Sequence, residues 1–296
     1  MRCLPVLTLL IGLASGGCNC CLDKELSKAT EQCSCEAASE GESASAREAA
    51  SGGGGGAAQA APDKDWGAIK GRIVFAGDKL PVPGQLKVDK DPNHCLAKGN
   101  LFSEEWVVNK ENKGVRWVFV WLAPDPAGEV KKLPIHPALK APKEKKVEID
   151  QPCCMFVPHA LAMREGQILV GKNSSPIPHN MYVFGHPLKN PAQNPIIPSG
   201  GSYEFKLQTD DWPVTIQCSI HGWMNARVRV FDHPYYAVTD ADGNFEIKQA
   251  PPGEWRLIVW HDSGWRGGAK GKTGEKITVK GGAVTDLGKL DLKPNP

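Results

Sequence analysis

Beyond its first residues the chain has no run approaching the ~20 consecutive apolar residues that a permanent membrane span requires, so any membrane attachment must be made another way. It also lacks long stretches of helical periodicity, which excludes a helix bundle or a coiled coil. Cysteine is scarce where a fold would need it. Of ten cysteines, six (Cys3, Cys18, Cys20, Cys21, Cys33 and Cys35) precede residue 36, leaving Cys95, Cys153, Cys154 and Cys218 for everything after. That is too few for a disulfide-built scaffold. The early cysteines also lack the spaced pairs and histidine partners of a structural zinc site. Basic residues are not gathered into a block either. The excess from Asp63 onward, 31 bases against 26 acids, is spread along the chain; it argues mildly for anionic partners and only weakly for nucleic acid, which is not expected as a partner.

The beginning of the chain reads as address and spacer. Met1-Arg2, an apolar run from Cys3 to Ala14 and the small residues Ser15-Gly16-Gly17 have the layout of a secretory signal over residues 1–17. Cys18 then resembles the lipid-accepting cysteine of a bacterial lipobox, with Ser15 where the motif usually has Leu; the alternative is plain secretion. Residues 18–62 are expected to form a cysteine-containing tether and an Ala/Ser/Gly/Glu-rich spacer. They carry seven acids against three bases and too little apolar surface to offset the entropy of ordering. The expected location is therefore extracytoplasmic, in the periplasm or cell envelope, with membrane association through a lipid on Cys18.

From Trp66 onward the sequence changes to short β-branched and aromatic runs punctuated by Gly, Pro, Asn and Asp, the pattern of an all-β protein. Asp242-Gly243-Asn244 and Pro251-Pro252-Gly253 are turn sequences bracketing a hairpin. More than a dozen candidate strands exceed one small sandwich, so two packed β modules are expected. The divisions read from the sequence are an N-terminal β segment over 63–145, a second unit over 146–231 and a third over 232–296.

One string carries most of the chemistry: Gln217-Cys218-Ser219-Ile220-His221-Gly222-Trp223-Met224, lying between two candidate strands. A single short loop there offers a thiolate, an imidazole and a thioether. Two imidazoles and a thiolate in a trigonal set, with a weak axial thioether, are the donors of a type 1 copper site. The second imidazole has to come from elsewhere, and His179, at the start of a strand after the Ser174-Ser175-Pro176 turn, is the natural choice. The expected metal ligands are thus His179, Cys218, His221 and Met224, holding one type 1 copper. In that set the thiolate makes the covalent bond to the metal, the imidazoles complete the plane and Met224 adjusts the potential. Each residue alone has a plainer reading: a buried thiol or thioether as core filler, a histidine in a turn. The combination and its order single them out.

At these residues the chain resembles the cupredoxins, the family of plastocyanin and amicyanin. Phe156-x-Pro158, Gly166, Asn173, Pro178-His179-Asn180, Cys218-x2-His221 and Met224 fall in the family's order over residues 146–231. The resemblance implies a Greek-key β-sandwich, coordination through the ring nitrogen nearer the backbone, an outer hydrogen-bonding role for Asn180, and His221 as the ligand closest to the surface and the exit for electrons. It implies a one-electron carrier with an extracytoplasmic redox protein as partner, not an enzyme. A dinuclear purple centre would need a second cysteine in the loop, a multicopper oxidase would need His-x-His pairs, and the chain has neither.

Tyr236 to Ile247 and Pro251 to Trp260, with the opening strand Gly67 to Phe75, resemble the carboxypeptidase regulatory-like (transthyretin-like) β-sandwich. Residues 66 to about 140 and 233–293 are expected to form one such sandwich, into which the cupredoxin-like unit is inserted, and the whole arrangement is similar to bacterial proteins labelled methylamine-utilisation-like. The alternative function is an envelope binding or structural protein whose sandwich recognises carbohydrate or protein, with Trp223, Trp255, Trp260 and Trp265 as an aromatic contact surface and copper stored or structural.

The remaining histidines divide as follows. His159 is expected to serve structure or hydrogen bonding, His233 and His261 to approach each other at a module junction, and His94, His136 and His186 to be exposed. In an oxidising compartment Cys95 pairs with Cys153 or with Cys154, closing a loop of nearly sixty residues for about 4 kcal/mol on the chain-entropy model.

Overall fold

The computed structural model describes residues 64–294. The signal, tether and spacer expected over 1–62, with Cys18, lie outside the described residues. Among the described residues no helix is long and apolar enough to cross a membrane.

The described chain is almost entirely β. Its strands are β1 (Gly67–Phe75), β2 (Phe119–Ala123), β3 (Lys146–Ile149), β4 (Ala160–Arg164), β5 (Ile168–Lys172), β6 (His179–Asn180), β7 (Tyr182–Phe184), β8 (Ile196–Ile197) and β9 (Ser202–Lys206). They continue as β10 (Val214–Gln217), β11 (Asn225–Phe231), β12 (Tyr236–Val238), β13 (Asn244–Ala250), β14 (Gly253–His261), β15 (Gly264–Trp265), β16 (Glu275–Val279) and β17 (Val284–Leu292). One helical turn, α1 (Pro92–Cys95), lies between β1 and β2.

Strand pairing does not follow the linear order of the chain. β1 pairs antiparallel with β13 and parallel with β17. A second sheet runs β12-β2-β14-β15, with β16 also on β14. Strands from 67–123 and from 236–292 therefore share sheets. The strands of 146–231 pair only among themselves, in the orders β4-β11-β10-β7, β3-β5-β9 and β6-β8.

Three apolar layers follow from period-2 alternation on strands buried on both faces. Along β2, Val120 and Leu122 join the core of the first pair of sheets, while Phe119 and Trp121 point the other way. β14 repeats the device, with Trp255, Leu257 and Val259 on one side and Ile258 and Trp260 on the other. β11 does the same from the opposite sheet: Ala226, Val228 and Val230 enter the core built by 146–231, and Phe231 enters the middle layer. There Trp121 packs on Phe231 at 5.6 Å and on Trp265 at 5.7 Å, and the Arg229 guanidinium lies 5.1 Å from the Trp121 ring. Such a layer, shared by two sheets, is a fixed platform for the loop that opens β11.

β2 begins only at Phe119 although the apolar run opens at Trp117, because Trp117 has φ 68°, outside the extended region. The last strand runs on to Leu292, since its pairing with β1 continues to Phe75↔Leu292.

Candidate metal centre

The Cys218–Met224 loop joins two adjacent antiparallel strands, β10 and β11, whose register runs from Val214↔Val228 to Gln217↔Asn225. Two backbone hydrogen bonds close it: Cys218 N donates to Met224 O (3.2 Å) and Met224 N to His221 O (2.9 Å). Cys218 and His221 are thereby turned to the same side. His179 opens β6, which is held against β8 by the pairs His179↔Ile197 and Asn180↔Ile196. The turn before it is fixed by Asn173, whose Nδ2 donates to Ile177 O and Ile197 O, both at 2.9 Å.

Three donor atoms converge. His179 Nδ1 and His221 Nδ1 lie 2.9 Å apart, and Cys218 Sγ is 3.9 Å from the first and 3.8 Å from the second. All three side chains are buried, as is Met224, which joins Cys218 in the surrounding apolar core. The nitrogen nearer the backbone is the one that faces the thiol in both imidazoles, as the resemblance implied.

Asn180 joins the two ligand segments. Its Oδ1 accepts from Ser219 N (2.8 Å) and Ile220 N (3.1 Å) and lies 3.2 Å from Cys218 Sγ. Its Nδ2 donates to Asn194 Oδ1 and Ser219 Oγ. A carboxamide bonded to the amides just after the cysteine fixes the loop relative to the β6 histidine. His221 N is directed at Cys218 Sγ at 3.4 Å and ties the thiol to its own loop.

Electrostatics keep the imidazoles neutral. Burial, reinforced by the charges of His221 and His94, pushes His179 down to about 4. Burial also lowers His221, against the hydrogen bond and charge of Asp91, which pull the other way. His221 Nε2 lies 3.0 Å from Asp91 Oδ2. A carboxylate accepts only, so it holds the proton on Nε2 and leaves the Nδ1 lone pair directed at Cys218 and His179. Two imidazole lone pairs at this separation, beside a thiol in an apolar shell, fit a soft or borderline cation better than they fit each other. The donor set suits copper.

Asp91 is the residue that the sequence did not reveal. It precedes α1, far from both ligand segments, and no motif marks it. Its segment also overturns one expectation: His221 is fully buried, no nearer the surface than His179. The disulfide expected at Cys95 is made with Cys154, and its sulfurs and a His221 ring nitrogen all lie within 4.8 Å of one another.

The other histidines are placed as follows. His159 is buried, with Nε2 2.8 Å from Asp262 Oδ2 and Nδ1 facing Asn225 O, and takes no part in the metal group. His233 and His261 do not meet: the first stacks near Phe231 and Tyr235, the second lies 4.0 Å from the Trp106 ring and bonds Ser263. His186 is exposed as expected. His136 is buried, capping a short turn through Ala138 N, and His94 is half-buried beside the metal group. Trp223, Trp255, Trp260 and Trp265 are all buried, so they form no aromatic contact surface.

No family model matches the chain, and a search of curated proteins finds no match. Among solved structures the chain is similar to an oxidised amicyanin variant, at 18% identity over 29% of this chain and 83% of the other, with TM-score 0.27. A Cu(I) amicyanin variant is similar at 16% identity over 38% of this chain and 98% of the other, with TM-score 0.27. A purple cupredoxin from Nitrosopumilus maritimus is similar at 20% identity over 28% of this chain and 98% of the other, with TM-score 0.25.

Proposed function

We propose that this chain binds one type 1 copper through His179, Cys218, His221 and Met224 and acts outside the cytoplasm as a one-electron carrier. One observation carries the reading: two neutral, buried imidazole Nδ1 atoms and a buried cysteine sulfur converge within 4 Å on a loop fixed to a rigid sheet.

Bound copper would supply the electron by changing between Cu(II) and Cu(I). The protein's part is to hold the donors still while that charge changes. Asn180 holds the loop amides, Asp91 sets the His221 tautomer and β10 and β11 anchor both loop ends, so little has to move. The apolar shell keeps water from the donors and disfavours the extra charge of the Cu(II) form. With Met224 as a fourth donor the set would leave no position open for a substrate, hence a carrier and not an enzyme. The partner is a redox protein of the same compartment, and a lipid on Cys18 would keep the carrier at the membrane. The 67–123 and 236–292 strands, which resemble a carboxypeptidase regulatory-like sandwich, serve as the platform. Burial of the four tryptophans removes the surface on which the binding-protein alternative rested.

The test is to titrate the full chain with Cu(II) and record visible and EPR spectra. An intense blue thiolate-to-copper band, reversibly bleached by a reductant and lost in Cys218→Ala, is expected. A chain with all four residues intact that retains no copper would falsify the reading.

A further inference from the structure

The segment that buries His221 is a loop closed mostly on itself. Leu86 N bonds Leu101 O and Ser103 N bonds Gly84 O, both at 2.8 Å, pinching the base of residues 84–103. Leu86, Val88 and Leu101 pack on the core around the metal group. At its tip Asp91, with φ 48°, starts α1 and meets His221 Nε2, and four residues on Cys95 is bonded to Cys154. Two ligand groups result, and they share a residue: His179, Cys218 and His221 in one, Cys95, Cys154 and His221 in the other, every member buried. His94, next to Cys95, acts electrostatically on both His179 and His221, and its buried Nε2 has no hydrogen-bond partner.

A centre enclosed this way must still be filled. Resting on the copper reading above, we propose that Cys95, Cys154 and His221 form a transient copper-loading site that exists while the two cysteines are thiols and is closed when they join. In the dithiol form the Cys95 and Cys154 thiols bind Cu(I) as thiolates, releasing two protons, with His221 as third donor and His94 beside them. Soft sulfur donors suit Cu(I). The ion then passes to Cys218 and His179, His221 belonging to both groups; the Cys218 thiol gives up its proton as it takes the metal, and Cys95 and Cys154 take two protons back, that one and one from solvent. Exchange with an external disulfide follows: the Cys95–Cys154 bond forms, the external S–S bond breaks, and its sulfurs leave as two thiols with the two electrons and two protons. The loop is then fastened over His221, and the disulfide retains the metal as well as stabilising the fold.

The test uses the full chain reduced with a phosphine, with and without Cu(I), then alkylated with iodoacetamide and read cysteine by cysteine from peptide masses. Cu(I) at two equivalents should slow alkylation of Cys95 and Cys154 at least tenfold, and should still do so in Cys218→Ala. After loading and reoxidation, a Cu(I) chelator should strip copper at least tenfold more slowly from the wild type than from Cys95→Ser/Cys154→Ser, whose fold is checked by near-UV circular dichroism. The alkylation arm needs no variant, so a misfolded pair does not remove it. Equal alkylation with and without Cu(I) overturns the loading site, and equal stripping rates overturn the seal. If the disulfide form still holds one copper through Cys218 in either case, this inference alone fails. If it holds none, the function proposed above fails.

Discussion

Asn180 shows how one side chain can decide the quality of the centre without being a ligand. Its carbonyl oxygen receives two loop amides, and its amide nitrogen reaches Asn194 and Ser219. Asn180→Ala leaves all four proposed ligands in place but frees the loop, and loss of an outer hydrogen-bonding partner typically lowers metal affinity about 10- to 100-fold. A competition titration against a chelator should show a drop of that size, with the blue band retained but broadened. An unchanged affinity would mean that the strands alone position Cys218. Asp91→Leu tests the other outer contact: without the carboxylate, neutral His221 can place its proton on Nδ1, so copper affinity should fall, and because Asp91 no longer raises the His221 pKa the affinity should become less pH-dependent between pH 5 and 7, read as the slope of affinity against pH. The converging donor residues were legible because they sit in local strings, Cys218-x2-His221 and Pro178-His179-Asn180. Asp91 was not legible. Its contact with His221 spans 130 residues and depends on a disulfide whose partner, Cys153 or Cys154, adjacent cysteines leave undecided in sequence.

Single strands position that loop by burying both faces, and the pattern was only partly readable. Val118 to Leu122 and Leu257 to Trp260 are continuous apolar runs, which identify strands but not which face meets which layer. The alternation becomes informative only when β2 and β14 are seen to lie between two cores. Trp121 stands in the middle layer against Phe231 and Trp265, with Arg229 over its ring. Trp121→Ala should therefore cost about 3–5 kcal/mol, the range for removing a buried large aromatic, measured by chemical denaturation. The turn at Asp242-Gly243-Asn244 was read correctly, but the hairpin expected there does not form: β13 pairs with β1, whereas β12 and β14 pair with β2 in another sheet. Gly114 approaches that turn so closely that an added Cβ would lie 1.9 Å from Asp242 O, while Asn109 and Asn112 bond the Asp242 carboxylate. Both partners there are backbone and cannot rotate away. Gly114→Ala should destabilise by roughly 1–3 kcal/mol or more, whereas Gly84→Ala, where nothing lies within 4 Å, should not.

Across the whole molecule, the layer between the two sets of sheets is bordered by buried ionisable groups, and these set how stability depends on pH. Burial opposes the His159 cation, but the Asp262 hydrogen bond and the charges of Asp262 and Glu104 outweigh it and raise its pKa. Arg227, on β11, also bonds Asp262. A hydrogen-bonding role for His159 was legible in the sequence but Asp262 was not, because the partners are 103 residues apart, one just before β4 and the other just after β14, strands of different sheets. His261 behaves oppositely: burial pushes it down to about 4, against the Asp262 charge, and burial also lowers His233. For His159 the folded state holds the proton more tightly than the unfolded chain, so its contribution is complete below pH 6.5 and is lost as pH rises through its folded pKa. For His261 and His233 the unfolded chain takes the proton first, so stability falls as pH drops below 6.5, and for His261 levels off only below about 4. At about 1.4 kcal/mol per pKa unit, His261 alone accounts for roughly 3 kcal/mol across that window. Urea denaturation of the metal-free chain from pH 7 to pH 4 should therefore show a progressive loss of stability. His261→Phe, which cannot take up a proton, should flatten that slope even if it lowers stability at pH 7. An unaltered slope would assign the acid sensitivity to other groups, with His233 next in line and His179, in the metal group, after it.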